Sequence, residues 1–248
     1  MSLKDKLLSS YLTFQENTSF DNSILDIKDQ AIKVFETEGF PSKKDENWKY
    51  TSLNSVTKPD YSLVSHADDA IEFKDVKQYF LNDIDTFKIV FIDGVYSSYL
   101  SETTHDGVDV CLLSSALTKP KFKQVIDVYF NKIAKKESLT ALNTAFAKEG
   151  AYIYVPKSRA VNKPIQIVHL STGSEANLML QPRNLIVAEE NAEVQVIERH
   201  QSLSSNAVFT NSVTEIYAGK HARVDYYKIQ NDKENASLID NTHIDQQE

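Results

Sequence analysis

Apolar positions recur at two different periods along this chain, and the change from one to the other divides it. Leu3, Leu7, Leu8, Tyr11 and Leu12 share a face at helical spacing, as do Ile24, Ile27, Ala31, Val34 and Phe35, so residues 1–40 predict two amphipathic helices. Gly39 is placed to take the left-handed position after the second helix, with Phe40 folding back on the last turn and Pro41 blocking continuation. Residues 87–92 and 95–100 flank Asp93-Gly94, a dipeptide suited to a two-residue hairpin because both central residues must reach positive φ. Residues 108–113 read as a further short strand. The stripe Phe122, Val125, Ile126, Tyr129, Phe130 and Ile133 predicts a helix over 122–134. Leu139, Leu142 and Phe146 predict another over 137–150, with Ser138 as its N-cap and Gly150 as its stop.

After Gly150 the pattern becomes strict alternation. AYIYVP, PIQIVHL, NLIVAE, AEVQVIER, SVTEIYA and ARVDYYKI read as strands, with no helix-length stretch between them. Two of these segments repeat: Ile186, Ala188, Ala192 and Val194 are matched thirty positions on by Ile216, Ala218, Ala222 and Val224. A fixed interval of strand, tight turn, strand and return predicts a parallel β-solenoid, whose rungs bury their apolar side only by stacking. Ile186, Ala188, Val194 and Val196 then point into the coil, with Ile216, Ala218, Val224 and Tyr226 at the same stations one rung on. On the outside, Glu193 should lie beside Arg223 and Gln195 beside Asp225. An antiparallel sandwich also alternates; the interval held over two successive strands, and the long polar stretches LSTGSEANLMLQPR and HQSLSSNAVFTNS before each copy, favour the coil. The expected architecture is an α+β N-terminal domain over residues 1–149 followed by a right-handed parallel β-helix over 150–248. Val187, Tyr217, Ile197 and Tyr227 face outward as a candidate apolar strip, which the N-terminal domain is placed to cover.

Composition narrows the function. A hydrophobic content of 41% with 12 Tyr and 12 Phe excludes a disordered chain. The net charge of −8, with Lys and Arg dispersed, argues against nucleic acid. A single cysteine, Cys111, and an N-terminus without a signal-peptide core fit a reducing, cytoplasmic setting. No apolar run is long enough to span a membrane, and the 6 glycines form no phosphate-binding loop. Among His66, His105, His169, His200, His221 and His243 no pair has helical ligand spacing and none is near Cys111. His169 and His200, at the ends of inferred strands, read as hydrogen-bonded structural residues. Cys111 lies among apolar neighbours and reads as core rather than as a cluster-handling thiol. Glu189 and Glu190 read as solvated turn carboxylates, and Trp48 as an aromatic anchor for a charged loop. Catalytic, cofactor-binding and metal residues are therefore expected to be none within this segment.

The segments ENWKYTSL, ALNTAFAKEGAYIYVPKSRAVNKPIQIVHL, PRNLIVAEENAEVQVIERH and FTNSVTEIYAGKHARVDYYKIQ together resemble the SufB/SufD family of iron-sulfur cluster assembly proteins, from about Pro41 onward. The segment bearing Trp48 favours the SufD branch. The resemblance implies a non-catalytic scaffold subunit that works with SufB and the ATPase SufC, on whose full complex the Fe-S cluster is assembled. It also implies a helical region, a right-handed β-helix and a C-terminal helical region that docks SufC. The chain ends NTHIDQQE inside what should open another rung, so it is expected to be an N-terminal fragment, with the family's cluster-handling residues downstream. A homodimer is a further option. Two rivals stand beside the scaffold: a β-helix polysaccharide lyase or hydrolase, disfavoured by the lack of a secretion signal and of clustered carboxylates, and a partner-binding solenoid of other purpose.

Overall fold

Local capping starts the N-terminal helices where the pattern predicts them. The structure, a computed structural model, describes residues 1–63, 71–104, 107–173, 176–203 and 205–248. Ser2 and Asp5 form a capping box on α1 (Leu3–Glu16), and the Asp21 carboxylate accepts the Ile24 N–H at 3.0 Å to start α2 (Asn22–Glu38). Gly39 ends α2 at φ 68°, donating to Phe35 O at 2.8 Å, and the Phe40 ring meets Phe35 edge-on at 5.2 Å. A short helix α3 (Phe73–Val76) precedes β1 (Phe87–Ile92), which turns through Asp93 (φ 50°) and Gly94 (φ 78°) into β2 (Val95–Tyr96). The expected partner strand over 95–100 is thus only two residues long.

β3 (Asp109–Leu112) leads into α4 (Leu113–Thr118), α5 (Lys123–Tyr129) and α6 (Ser138–Phe146). The helix expected over 122–134 stops early because a carboxylate captures its next amides. Asn131 N, Ile133 N and Ala134 N donate to Glu215 at 2.9, 3.3 and 3.3 Å, with Asn131 at φ 58°. Two details of the following helix also differ. Its N-cap is Glu137, and the Ser138 hydroxyl donates to the Gly39 carbonyl instead. Gly150 lies beyond the helix end, and its glycine is needed for another reason: a Cβ there would sit 1.7 Å from the Arg183 carbonyl oxygen.

From residue 151 the chain shuttles between two sheets. β4 (Ala151–Val155) crosses to β5 (Ile165–Ser171); β6 (Leu178–Leu180) and β7 (Arg183–Ala188) return, and β8 (Glu193–Ser202) crosses again. β9 (Val208–Ala218), β10 (Arg223–Gln230) and β11 (Ala236–Gln246) continue the cycle. One sheet runs β11-β9-β7-β4-β3 and the other β10-β8-β5-β1-β2, with every pairing among the coil strands parallel. This is a β-solenoid preceded by a helical region. β1 runs parallel to β5 and β3 antiparallel to β4, so residues before 150 contribute to both sheets.

The thirty-residue register is as the alternation predicts: Ile186 pairs with Ile216, Ala188 with Ala218, Glu193 with Arg223 and Gln195 with Asp225. The Gln195 amide donates to Asp225 at 3.0 Å. Arg223, however, turns along its own strand to Asp225 at 3.2 Å. Polar side chains reinforce the interval at other stations: Asn184 to Thr214 (3.1 Å), Gln201 to Asn231 O (2.6 Å) and Asn211 to Gln181 (2.8 Å) each bond across thirty residues. The turns share a device too, since Ser158, Asn191 and His221 all take positive φ, at 60, 56 and 59°. The stretches expected to be plain return loops hold β6 and the first half of β9, because Leu178, Leu180 and Val208 make an apolar cluster of their own.

Apolar cores lie inside and outside the coil. Ile89, Ile153, Ile167, Ile186, Val196 and Ile216 fill the interior; full burial of each such side chain contributes about 1.5–3 kcal/mol. Outside, α1, α2 and α6 pack over Met179 and Phe209, with Trp48 against the same cluster. α4 and α5 cover Tyr152, Leu185, Val187 and Tyr217. The candidate outer strip therefore divides. Val187 and Tyr217 are roofed, with the Tyr217 hydroxyl donating to Tyr129 O at 2.7 Å, whereas Tyr227 on the other sheet is 56% exposed.

Candidate functional site

Along the strands the coil's lining changes from apolar to ionisable. Beyond Val194 and Val196, the same face of β8 carries Glu198 and His200. Glu198 is flanked in register by Ile167 on β5 and Lys228 on β10, and His200 by His169 and Gln230. Parallel strands about 4.8 Å apart bring like stations into contact. Phe91 on β1 accordingly stacks on His169 at 5.1 Å and 13°, and His169 on His200 at 4.6 Å and 15°. Three rungs thus hold a ladder of parallel rings.

Glu198, with no exposed side-chain surface, closes this ladder. Its Oε1 lies 2.8 Å from His200 Nε2 and 3.4 Å from His169 Nε2. Its Oε2 accepts the Tyr226 hydroxyl and lies 3.4 Å from Lys228 Nζ, which also pairs with Asp240. A buried carboxylate is tolerated only when its lone pairs are met in this way. Burial alone would raise the Glu198 pKa, but the close approach of the His169 ring, the His200 hydrogen bond and the Lys228 charge together hold it well below the ordinary value of 4.5. Burial, opposed by Glu198 and reinforced by the neighbouring His200, pushes His169 down to about 4. Burial and the Glu198 carboxylate push Tyr226 up, so it stays a donor.

His169 Nε2 is buried and makes no well-formed hydrogen bond, an omission that costs about 1–3 kcal/mol for a neutral polar group. The three donor atoms of His169, Glu198 and His200 lie within 4.8 Å of one another. Two imidazole nitrogens and a carboxylate oxygen can hold a divalent metal ion or share a proton.

The other sequence candidates are dispersed. His66 and His105 lie outside the described residues. His221 sits at an exposed turn, and His243 is partly buried on β11. Cys111 is buried, and burial with the nearby Asp109 charge pushes its thiol up to about 11, the reverse of a reactive thiolate. Glu190 pairs with Lys157 at 2.6 Å, and Glu189 accepts the Lys157 N–H at 3.1 Å. Spacing did not single out Glu198. The signal that finds it is lateral: once β5 and β8 are aligned as rungs, the two histidines fall at one station and Glu198 immediately beside them.

These features define a class: a two-sheeted parallel β-solenoid roofed by N-terminal helices, with an ionisable cluster inside its coil. Residues 4–167 match the family described as the SufBD protein N-terminal region, and residues 169–248 match the SUF system FeS cluster assembly, SufBD core domain. The chain belongs to the SufBD family. It is 26% identical over 235 residues to the iron-sulfur cluster assembly SufBD family protein slr0076 of Synechocystis, covering 91% of this chain and 51% of that protein. It is similar to the iron-sulfur cluster assembly protein SufD of Escherichia coli, at 26% identity over 81% of this chain and 44% of that one. To SufD of Bacillus subtilis it is 34% identical over 43% of this chain and 25% of that one. The chain thus spans about half, or less, of the length of these relatives. Among the described residues no helix is long and apolar enough to cross a membrane.

Proposed function

We propose that this chain acts as a scaffold subunit in iron-sulfur cluster assembly, working with SufB and the ATPase SufC in the cytoplasm and catalysing no step by itself. The observation that carries this reading is that the two family regions match nearly the whole of this chain, residues 4–167 and 169–248. The nascent cluster is cargo of the assembled complex, not a resident group of this chain. In this reading residues 1–149 serve as a roof and residues 150–248 as a rigid coil. The free sides of β10 and β11, with Tyr227 and the 63% exposed Ile244 beside them, offer strand edges to further chain or to a partner.

The test is co-expression of the full-length protein with SufB and SufC, with an affinity tag on this subunit. A complex of fixed stoichiometry that gains iron-sulfur absorbance in an ATP-dependent way is the expected result. Failure of both partners to co-purify, or glycan cleavage by the isolated chain, would overturn the proposal.

A further inference from the structure

We infer that His169, Glu198 and His200 form a binding site for one divalent transition-metal ion, of the zinc or ferrous class, inside the coil. The inference rests on side-chain geometry and stands apart from the scaffold reading.

Both imidazoles present Nε2 to one carboxylate oxygen, Oε1 of Glu198, at 2.8 and 3.4 Å. Tetrahedral ligands with bonds of about 2.0–2.1 Å are separated by roughly 3.3 Å; both nitrogen–oxygen separations are within about half an ångström of this, and the three donor atoms all lie within 4.8 Å of one another. Stacking holds the two rings in nearly parallel planes, 15° apart, at one depth of the coil, so a shared ion requires the imidazoles to rotate toward each other about the bonds that carry them. The other carboxylate oxygen is already engaged by Tyr226 and Lys228. Partners of this kind orient a ligand and leave its second oxygen for the metal. His169 Nε2, buried without a well-formed hydrogen bond, gains a partner when an ion enters the cluster. Imidazole with carboxylate suits zinc or ferrous iron, whereas calcium and magnesium prefer all-oxygen shells. Lys228, which borders the cluster, and its partner Asp240 have side chains 20% and 23% exposed.

The test uses the full-length protein stripped with a chelator and titrated with zinc against a chromophoric competitor at neutral pH. One equivalent should bind, and His200→Gln and His169→Gln should each weaken binding at least tenfold. His221→Gln, at the exposed turn, should change nothing. X-ray absorption of the zinc-loaded wild-type protein needs no variant, and should show a nitrogen and oxygen shell containing two imidazoles. Absence of stoichiometric binding, a shell with fewer imidazoles, or unchanged affinity in folded His200→Gln protein would each overturn the assignment.

Discussion

Replacing Glu215 by glutamine should unhook the N-terminal roof from the coil. The Glu215 carboxylate, fully buried on β9, accepts Arg183 Nη2 at 2.5 Å and the amides of Asn131, Ile133 and Ala134 at 2.9, 3.3 and 3.3 Å. Arg183, also fully buried, further donates to Thr144 Oγ1 at 3.0 Å and Asn131 Oδ1 at 3.2 Å. One ion pair therefore ties β7, β9, α6 and the turn after α5 together. Glutamine keeps one acceptor oxygen, points an NH2 at groups that are themselves donors, and leaves the guanidinium without its counter-charge. Breaking one side of a buried pair costs about 3–5 kcal/mol. Against a typical stability of about 5–15 kcal/mol, that is a large fraction of the whole.

Two assays read the effect separately. Urea denaturation followed by circular dichroism should show the loss of stability, and Glu215→Gln combined with Arg183→Met should cost less than the sum of the single changes. Hydrogen exchange should accelerate at residues 131, 133 and 134 before it does in the coil strands. A stability loss under about 1 kcal/mol, with exchange at those amides unchanged, would refute the argument that the carboxylate stops the helix and anchors the roof.

Lys28, buried with Nζ donating to the carbonyls of Thr144, Ala145 and Ala147 at the end of α6, has its pKa lowered from 10.5 to about 7 by burial and then by Arg183. Between these values the unfolded chain holds the extra proton, so this contribution is fully present above 10.5 and is lost as pH falls through about 7. From about pH 7 to 9 the wild type should gain about 2 kcal/mol relative to Lys28→Met in urea denaturation; parallel pH profiles would refute it. Gly150→Ala should cost about 3 kcal/mol or more, read as a lower thermal midpoint, since its φ of 152° and the Arg183 carbonyl leave no space for a Cβ. Cys111 should react with a thiol reagent far more slowly in the native protein than in urea, and equal rates would contradict its burial.

The coil was legible in the sequence where its rungs are equal and hidden where they are not. Ile186 and Ile216, and Val194 and Val224, lie beside each other at an interval of thirty, which a search for a fixed period finds. Elsewhere the turns absorb insertions: Tyr152 lies beside Leu185, Ile165 beside Val196 and Ile216 beside Ile244, at intervals of 33, 31 and 28. Stacking constrains the strands, while a corner loop can lengthen at little cost. The end of α2 was readable because Gly39 and the Phe40 contact act within a few residues of it. The end of α5 was not, since its cause is a glutamate 84 residues from Asn131.

The same unequal spacing explains why the ionisable cluster escaped a search by spacing. His169 and His200 are 31 residues apart and so fit neither a helical ligand pair nor the thirty-residue repeat, yet Cα pairing puts them directly side by side. Parallel, in-register stacking converts a remote sequence match into a contact of one strand spacing, about 4.8 Å. It therefore concentrates like residues at one depth of the coil without any local motif. Well-packed apolar side chains in place of a buried ionic cluster are often neutral or stabilising. Placing Glu198, His200, Tyr226 and Lys228 at successive inward stations of β8 and β10 costs desolvation that apolar side chains would avoid. That cost is met by a network which still leaves His169 Nε2 without a good hydrogen bond, so packing alone does not account for this set of side chains, and the proposed ion at the two Nε2 atoms and Glu198 Oε1 would supply the missing partner.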